Sequence, residues 1–363
     1  MLSDLVITPS PHISKGLTTR RVMLDVVIGL VPAMIAAVYF FHWYAVKVTA
    51  ICVIASVATE WICNLIRGRG KSFESVGDLS AVITGLILAF SVPPAIPWWA
   101  ACVGSAFAIA VGKMVFGGLG ANIFNPAMVG RAFLMLCFGM MMTTWTVPAT
   151  IDPKMPTVAV SADAAVDART QATPLNWSKQ AIKAQQKAKA LKDKDEAASK
   201  QADEEARRCS QVVNSQSKDL FWGGIGGSIG ETSAIALIIG GIYLLLRRTI
   251  TIHTPAAVIL SAYIIAQAAN LLNPDANISP WAHLCSGGLL IGAFFIATDP
   301  VTSPLTTKGR WIFGIGVGAM TMLIRIVGEY PEGVMFSILL MNAVTPLIDR
   351  FCYLVPAGGK PNV

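Results

Sequence analysis

The chain has 363 residues, of which 54% are hydrophobic and only 13% are charged, and its mean hydropathy is +0.60. Soluble domains carry about 25% charged residues, so this composition excludes an ordinary soluble protein and indicates one that crosses a membrane many times. The formal charge of +7 belongs to residues between the apolar runs; it affects orientation in the membrane and does not indicate nucleic-acid binding.

Apolar runs of about 20 residues, the length of a membrane-spanning helix, predict ten spans. They cover residues 22–41, 46–66, 79–93, 98–116, 124–145, 222–246, 255–272, 284–298, 311–328 and 333–354. Five spans precede the polar stretch 146–221 and five follow it, so the two halves enter the membrane with opposite orientation. We therefore expect an all-α membrane protein with repeats at 1–145 and 222–363 and one long loop, 146–221, between them.

Lysine and arginine residues of the short loops fall on one side of the predicted membrane. They are Arg20, Arg21, Arg67, Arg69, Lys71, Lys113, Arg247, Arg248, Lys308, Arg310, Arg350 and Lys360. The short loops of the other side, residues 42–45, 93–97, 273–279 and 328–332, contain none. The positive-inside rule predicts that both termini are cytoplasmic and that residues 146–221 are external, on the periplasmic side of a cell inner membrane.

Glycine and proline mark similar positions in the two halves. Gly85 and Pro93 lie in the third span, and Gly292 and Pro300 lie in or just after the eighth. Inverted repeats build a midplane site from broken helices that such residues mark, which predicts breaks at Ser91–Pro97, Gly117–Pro126 and Thr298–Pro304. The alternative is that these residues simply end ordinary helices. Asp299 is the predicted ion-path carboxylate, because an ionisable residue at such a break marks a path.

Other ionisable residues near the spans are predicted to form ion pairs. The expected pairs are Asp25 with Arg21, Glu60 with Arg67, and Glu231 with Arg325 across the two halves, while Arg131 is either paired or extended toward the interface. The seven cysteines show no C-x-x-C spacing, and no residues are arranged for hydrolysis. Neither a metal site nor a catalytic residue is therefore predicted in this chain.

The long polar stretch has two parts. Residues 149–177 show no sustained period, whereas residues 178–211 are rich in Ala, Lys, Gln and Glu and predict a solvated helix. This helix is either an exposed face or a docking surface for a neighbouring subunit. The first part contains the run Thr170-Gln171-Ala172-Thr173, which by itself is ordinary loop sequence.

Several motifs resemble those of one family. They are Ile7–Ile13 (ITPSPHI), Gly117–Ala127 (GGLGANIFNPA), Gly223–Thr232 (GGIGGSIGET), Ala297–Pro304 (ATDPVTSP) and Pro331–Ala343 (PEGVMFSILLMNA). These residues resemble the D subunit of the Rnf ion-translocating electron transport complex, and the likeness runs from Pro9 to Asp349. The related B subunit of the Na⁺-translocating NADH:quinone reductase is longer at its N-terminus, so a start at Met1 favours the Rnf protein.

The resemblance implies a urea-transporter-like fold and a covalently bound FMN. In that family the flavin phosphate is esterified to a threonine of a [Ser/Thr]-Gly-Ala-[Ser/Thr] motif, which places it on Thr173, with Gln171 where the family has glycine. Gly226, Gly227 and Glu231 are predicted to contact this flavin, although tight helix packing is the alternative role for the glycines. The resemblance extends to a second, non-covalent flavin, riboflavin, beside Asn122 and Asn125.

The function implied by the resemblance is that of a membrane component of a ferredoxin:NAD⁺ oxidoreductase that couples electron transfer to Na⁺ or H⁺ translocation. Its expected partners are the flavin-carrying G subunit, the iron–sulfur A and E membrane subunits, the cytoplasmic B and C subunits and membrane lipid, with no nucleic acid. Two alternatives are the B subunit of the quinone reductase and a solute channel of the urea-transporter type without a redox role.

Overall fold

The computed structural model describes residues 18–68, 77–145, 173–192, 195–215, 217–224, 226–274, 277–328, 330 and 332–352. Secondary structure within these ranges is helical. Several predicted features lie outside the described residues, including the motif Ile7–Ile13, the run Thr170–Ala172, the remainder of the irregular loop before Thr173, and the loop residues Arg69, Lys71 and Lys360.

The described part of the first half contains six helices. They are α1 (Thr19–Phe41), α2 (Trp43–Ile66), α3 (Ser80–Phe90), α4 (Trp98–Met114, ending in a π-helical turn), α5 (Pro126–Cys137) and the short α6 (Gly139–Met142). Local chemistry accounts for two of their starts, since Thr18 and Asn125 accept hydrogen bonds from the first-turn amides of α1 and α5.

Within the described ranges, three helices lie in the polar stretch and six in the second half. The polar stretch contains α7 (Pro174–Leu191), α8 (Glu196–Ser215) and α9 (Ser217–Trp222). The second half contains α10 (Ala234–Leu246), α11 (His253–Leu272), α12 (Pro280–Cys285), α13 (Leu289–Ile291, continued by a π-helical turn to Ile296), α14 (Thr307–Ile326) and α15 (Val334–Phe351).

Helices occupy every predicted span, but their lengths differ. Among the described residues, five helices are long and apolar enough to cross a membrane alone: α1, α2, α11, α14 and α15. The span predicted at 222–246 was wrong at its start, because the apolar helix begins only at Ala234. Gly223 and Gly224 have φ values of 113° and 107°, which a right-handed helix does not accommodate. The predicted breaks 91–97 and 298–304 are non-helical throughout. The predicted break 117–126 is non-helical up to Asn125.

The two halves approach each other through glycine. A methyl group on Gly240 of α10 would lie 2.0 Å from the carbonyl oxygen of Gly29 in α1. Helices in membranes associate through such close packing of backbones, which small residues permit, because there is no hydrophobic driving force between helices in lipid. The glycine pair therefore fixes how α10, and the residues that precede and follow it, lie against the first half.

The polar stretch forms a helical hairpin, whereas the sequence predicted a single helix. Asp195 caps the start of α8, since its Oδ1 accepts hydrogen bonds from the amides of Ala197 and Ala198 at 3.0 and 3.1 Å. The Ser199 hydroxyl donates to the carbonyl of Ala188 in α7 at 2.9 Å. Small residues are buried along both helices: Ala181, Ala184 and Ala188 in α7, and Ala202, Ala206 and Cys209 in α8. We call this unit the α7–α8 hairpin.

Two buried carboxylates have partners that sequence proximity did not predict. Arg247 reaches Asp25 at 3.2 Å from the other half of the chain, whereas Arg21 was expected. Lys113 lies 2.7 Å from Glu60, whereas Arg67 was expected, and Arg67 itself donates to the carbonyl of Met114. Helix packing brings together side chains that are distant in sequence, so neighbours along the chain are a poor guide to buried pairs.

Candidate functional site

Thr173 sits at the start of α7 and caps it. Its hydroxyl oxygen accepts a hydrogen bond from the amide of Asn176 at 3.2 Å, and its carbonyl accepts one from the amide of Trp177 at 3.0 Å. Pro174 follows at the first helical position, where its fixed φ suits a helix start and its missing N–H costs nothing. Thr173 is therefore held in a defined conformation and is only 8% exposed.

Thr173 lines a small cavity together with residues at the start of α7 and residues that follow α8 in the chain. We call this cavity the Thr173 cleft. Its volume is about 20 Å³, and its walls include three predicted flavin contacts, Gly226, Gly227 and Glu231. The other lining residues, which the sequence did not single out for this role, are Pro174, Leu175, Leu220, Thr232, Cys285, Ser286, Gly287 and Glu332. The fold thus brings together residues that lie more than fifty positions apart.

Glycines of the 223–230 block divide into two roles. A methyl group on Gly223 would lie 2.3 Å from the Phe40 ring, and one on Gly230 would lie 2.5 Å from Cβ of Phe90. These two glycines lie outside the helices and allow close packing on Phe40 and Phe90, so they serve packing, as in the alternative considered from the sequence. On Gly227 the nearest atom would be a carboxylate oxygen of Glu231 at 3.6 Å, so the backbone there lies open toward the cleft.

Charged side chains from both halves lie around the cleft. Arg131 of α5 pairs with Glu332, and the same guanidinium is 4.0 Å from Glu231. The Glu231–Arg325 pair predicted from the sequence was wrong: Arg325 instead donates to the carbonyls of His283 and Ser286 at 2.6 and 3.0 Å. Arg131 is ion-paired, one of its two predicted states. Arg131 thus faces both carboxylates, while Glu231 Oε1 has no hydrogen-bond partner among the described residues.

A second, larger cavity lies beside Asp299, and we call it the Asp299 cavity. Its volume is about 270 Å³, and three residues singled out from the sequence line it together, namely Asn122, Asn125 and Asp299. Lining residues that the sequence did not assign to a site include Ser80, Thr84, Lys113, Arg247, Thr249, Phe294, Phe295 and Thr298. The lining is mostly apolar, with a few polar groups that converge, as in typical ligand pockets.

The carboxylate of Asp299 accepts hydrogen bonds from three groups. The Asn125 side-chain amide, the Thr302 hydroxyl and the Val301 backbone amide donate to it at 3.3, 3.2 and 3.2 Å. Two of these donors, Val301 and Thr302, belong to the same non-helical turn as Asp299 and Pro300. The third, Asn125, comes from the first half of the chain. The turn therefore holds an acceptor-rich group at the wall of the Asp299 cavity.

The two cavities lie at opposite ends of α10. Glu231 of the Thr173 cleft precedes α10 by three residues, and Arg247 of the Asp299 cavity follows it directly. A helix of 13 residues is about 20 Å long. The cleft and the cavity are thus separated by about 20 Å, the greater part of the thickness of a membrane interior.

Comparison with known proteins places this arrangement in a family. The model of the NQR2, RnfD, RnfE family matches residues 6–357, nearly the whole chain. The chain belongs to this family. Membership confirms the resemblance drawn from the sequence motifs, and with the five apolar helices it shows a multi-pass membrane protein.

Relatives of this family member carry consistent names. The chain is 41% identical over 351 residues to the D subunit of the Na⁺-translocating ferredoxin:NAD⁺ oxidoreductase complex of Acetobacterium woodii, covering 96% of this chain and 93% of the relative. It is 40% identical to the D subunit of the proton-translocating ferredoxin:NAD⁺ oxidoreductase complex of Clostridium ljungdahlii, covering 98% and 96%. It is 37% identical to the D subunit of the ion-translocating oxidoreductase complex of Stutzerimonas stutzeri, covering 94% of each chain.

Proposed function

We propose that this chain is the D subunit of an ion-translocating ferredoxin:NAD⁺ oxidoreductase complex. Near-complete coverage of relatives that bear this name supports the proposal, as does membership of the NQR2, RnfD, RnfE family. Relatives named for Na⁺ and for protons match at nearly equal identity, so the proposal covers either ion. The chain acts as one membrane component among several and not as an isolated enzyme.

The redox group that we propose for this protein is FMN, attached through its phosphate to the Thr173 oxygen. The single observation that carries this proposal is the placement of Thr173 at the N-terminus of an 18-residue helix, where backbone N–H groups favour a phosphate. When bound, the flavin supplies one- and two-electron chemistry. The cleft of about 20 Å³ is too small for a ring system, so the ring lies beyond the cleft.

The residues of the chain have defined tasks in this proposal. Thr173 supplies the oxygen of the tether, and Gly226 and Gly227 keep the cleft wall free of side chains. Arg131 holds the carboxylates of Glu231 and Glu332, so that fixed charges from both halves lie beside the tether. Fixed charges in a site of low dielectric act strongly on a nearby group and need no rearrangement.

For the Asp299 cavity we propose a non-covalent flavin and an ion-path carboxylate. The cavity volume of about 270 Å³ approaches the lower end of the range for small-molecule pockets, about 300 Å³. The side-chain amides of Asn122 and Asn125 are suited to hydrogen-bond the polar edge of riboflavin. Asp299 offers a carboxylate at a helix break, the arrangement that membrane transporters use for ions.

The proposed orientation follows the distribution of charge. Arg247, Arg248, Lys308 and Arg310 lie near the Asp299 cavity or on its side of the chain, so this side is assigned to the cytoplasm of a cell inner membrane. The Thr173 cleft is then external, and the ten spans form two inverted five-helix repeats with a urea-transporter-like arrangement. Proposed partners are the G subunit on the external side, the A and E subunits in the membrane, and the B and C subunits on the cytoplasmic side.

Fluorescence of the denatured protein tests the proposed flavin. The complex is produced in cells that contain a flavin transferase and separated on a denaturing gel under ultraviolet light. We expect a fluorescent wild-type band, a dark Thr173→Ala band and a fluorescent band for the control Thr143→Ala, an exposed threonine outside the motif. A dark wild-type band contradicts the flavoprotein, and fluorescence that persists in Thr173→Ala moves the tether elsewhere.

Activity of the complex separates the proposal from its alternatives. We expect NAD⁺ reduction to require ferredoxin in wild type and to be lost in Thr173→Ala. Activity that depends on quinone and not on ferredoxin favours the quinone reductase, while solute flux without electron transfer favours the channel.

A further inference from the structure

Thr173 is poorly accessible in the folded chain. The residue is 8% exposed, its hydroxyl oxygen is engaged with the Asn176 amide, and the cleft beside it has a volume of about 20 Å³. A cavity of this volume holds about one water molecule. An enzyme that attaches a flavin must bring a large flavin donor and its own active site to the threonine. The segment that contains the threonine must therefore be accessible to that enzyme.

We propose that the α7–α8 hairpin must leave the membrane half of the chain before the flavin is attached, and that Lys179 is the side chain that holds it docked. This inference rests on the proposed function, since it concerns how the flavin reaches Thr173. The docked hairpin is a barrier to modification of Thr173. The flavin is therefore attached before the hairpin docks during assembly of the protein.

Lys179 joins α7 to the end of α14. Its ammonium group donates to the carbonyl of Ile324 at 3.3 Å and to that of Gly328, and the residue is 8% exposed. The last carbonyls of a helix have no partner within the helix and carry partial negative charge that favours a cation. A buried lysine in this position forms a charge-assisted contact that a neutral side chain of similar length does not replace.

Two further contacts dock the hairpin, one near each end. At the start of α7, Leu175 packs on Gly287, where an added methyl group would lie 2.7 Å from Leu175 Cδ1. At the end of α8, the amide of Ser279 donates to the side-chain oxygen of Asn214 at 3.1 Å. Lys179 lies between them and contributes the charge. The three contacts together keep the segment around Thr173 against the second half.

The attachment step is a phosphoryl transfer. The Thr173 oxygen attacks the flavin-side phosphorus of a flavin adenine dinucleotide, the pyrophosphate bond breaks, and AMP leaves with the bridging oxygen. The hydroxyl proton passes to a base of the transferase. Afterwards only a phosphate and a narrow chain must leave the cleft, so the hairpin can dock again over a product although it excludes the donor and its enzyme.

The rate of attachment to folded complex tests the proposal. Complex purified from cells that lack the transferase is mixed with purified transferase and flavin adenine dinucleotide, and fluorescence of the denatured protein is followed over time. We expect wild type to react slowly and Lys179→Met to react about tenfold faster or more, since one charge-assisted hydrogen bond changes an opening equilibrium by about that factor. Wild type should also reach a limiting rate at high transferase concentration, because opening of the hairpin becomes the slow step.

Two variants are matched to Lys179→Met. Lys187→Met removes a lysine from the exposed side of the same helix and should react at the wild-type rate. Lys179→Arg keeps the cation and should restore slow attachment. Hydrogen exchange should show lost protection in α7 for Lys179→Met while α1 and α10 stay protected. If that variant loses protection throughout, Asn214→Leu, which removes an exposed contact, takes its place and should also react faster.

The outcomes separate the two proposals. Equal attachment rates for wild type, Lys179→Met and Asn214→Leu overturn the role of the docked hairpin, even when every band becomes fluorescent. In cells that contain the transferase during synthesis, wild type and Lys179→Met should both carry flavin. Dark bands for both in those cells contradict the flavin on Thr173 itself.

Discussion

The side-chain amide of Asn125 donates to the carboxylate of Asp299 at 3.3 Å, across 174 positions of sequence. The same side chain also accepts hydrogen bonds from the amides of Ala127 and Met128 at 3.1 and 3.3 Å. One residue therefore caps α5 in the first half and supports the Pro300 turn in the second. Asn125 therefore connects the non-helical break before α5 with the non-helical break at Pro300, at the wall of the Asp299 cavity.

Replacement of Asn125 by alanine should destabilise the protein more than the loss of an ordinary helix cap. Losing the cap costs about 1 kcal/mol, and a buried carboxylate that loses a donor adds about 1–3 kcal/mol. Thermal unfolding of the detergent-solubilised protein measures the effect. The matched control is Thr306→Ala, which removes only the cap of α14, a hydrogen bond of 3.0 Å from the amide of Gly309. Equal losses for both variants would show that the bond to Asp299 contributes nothing.

A single methyl group on Gly240 should disrupt packing between the two halves. Because its Cβ would lie 2.0 Å from the Gly29 carbonyl oxygen, Gly240→Ala forces α1 and α10 apart, and overpacking of this kind costs about 1–3 kcal/mol or more. Gly29→Ala should be milder, since its nearest contact is a side-chain atom of Leu244 at 3.1 Å. Gly139→Ala meets nothing within 4 Å and serves as the control. The order of melting temperatures checks the prediction, and a Gly240→Ala protein as stable as Gly139→Ala refutes it.

Loss of Arg247 should leave Asp25 with too few donors. The Asp25 carboxylate keeps the hydroxyls of Tyr243 and Thr249 at 3.3 and 3.2 Å, but it is 7% exposed and loses its ion pair. Because Arg247 is itself 41% exposed, we expect Arg247→Met to cost about 1–2 kcal/mol. Adding Asp25→Asn to that variant should recover part of the loss, since the uncompensated charge disappears. Unfolding of the single and double variants decides this, with the exposed Arg350→Met as the control; a double variant less stable than Arg247→Met alone contradicts the explanation.

Cys209 in α8 should react slowly with maleimide at neutral pH. Burial raises the pKa of its thiol above the ordinary value, the carboxylate of Glu205 raises it further, and Arg208 lowers it. The thiolate is the reactive form, so the labelling rate should rise with pH over a higher range than for an ordinary cysteine. At fixed pH, Glu205→Gln should accelerate labelling and Arg208→Gln should slow it. Mass spectrometry of the labelled peptide measures both rates, and changes of the same sign in both variants rule out the charge effect.

Local features of the sequence predicted much of the fold. The positions of the helices follow from apolar runs, and several starts follow from caps such as Asn125 before Pro126 and Thr173 before Pro174. The hairpin was not predicted, although Asp195 followed by Glu196 is a typical helix start, because helix formers on both sides suggested one continuous helix. A cap within a polar stretch decides a helix boundary even where the composition does not change.

The sequence by itself determined the class of protein, the approximate positions of its helices and, through its motifs, its family. Each of these depends on properties of short segments, such as hydropathy and capping, which act within one or two turns. Only the tertiary structure decided which distant side chains meet: Asn125 with Asp299, Arg247 with Asp25, and Arg131 with Glu332. These contacts depend on how closely the helices approach one another. That approach is set by contacts such as Gly29 with Gly240, which no single segment of the sequence encodes.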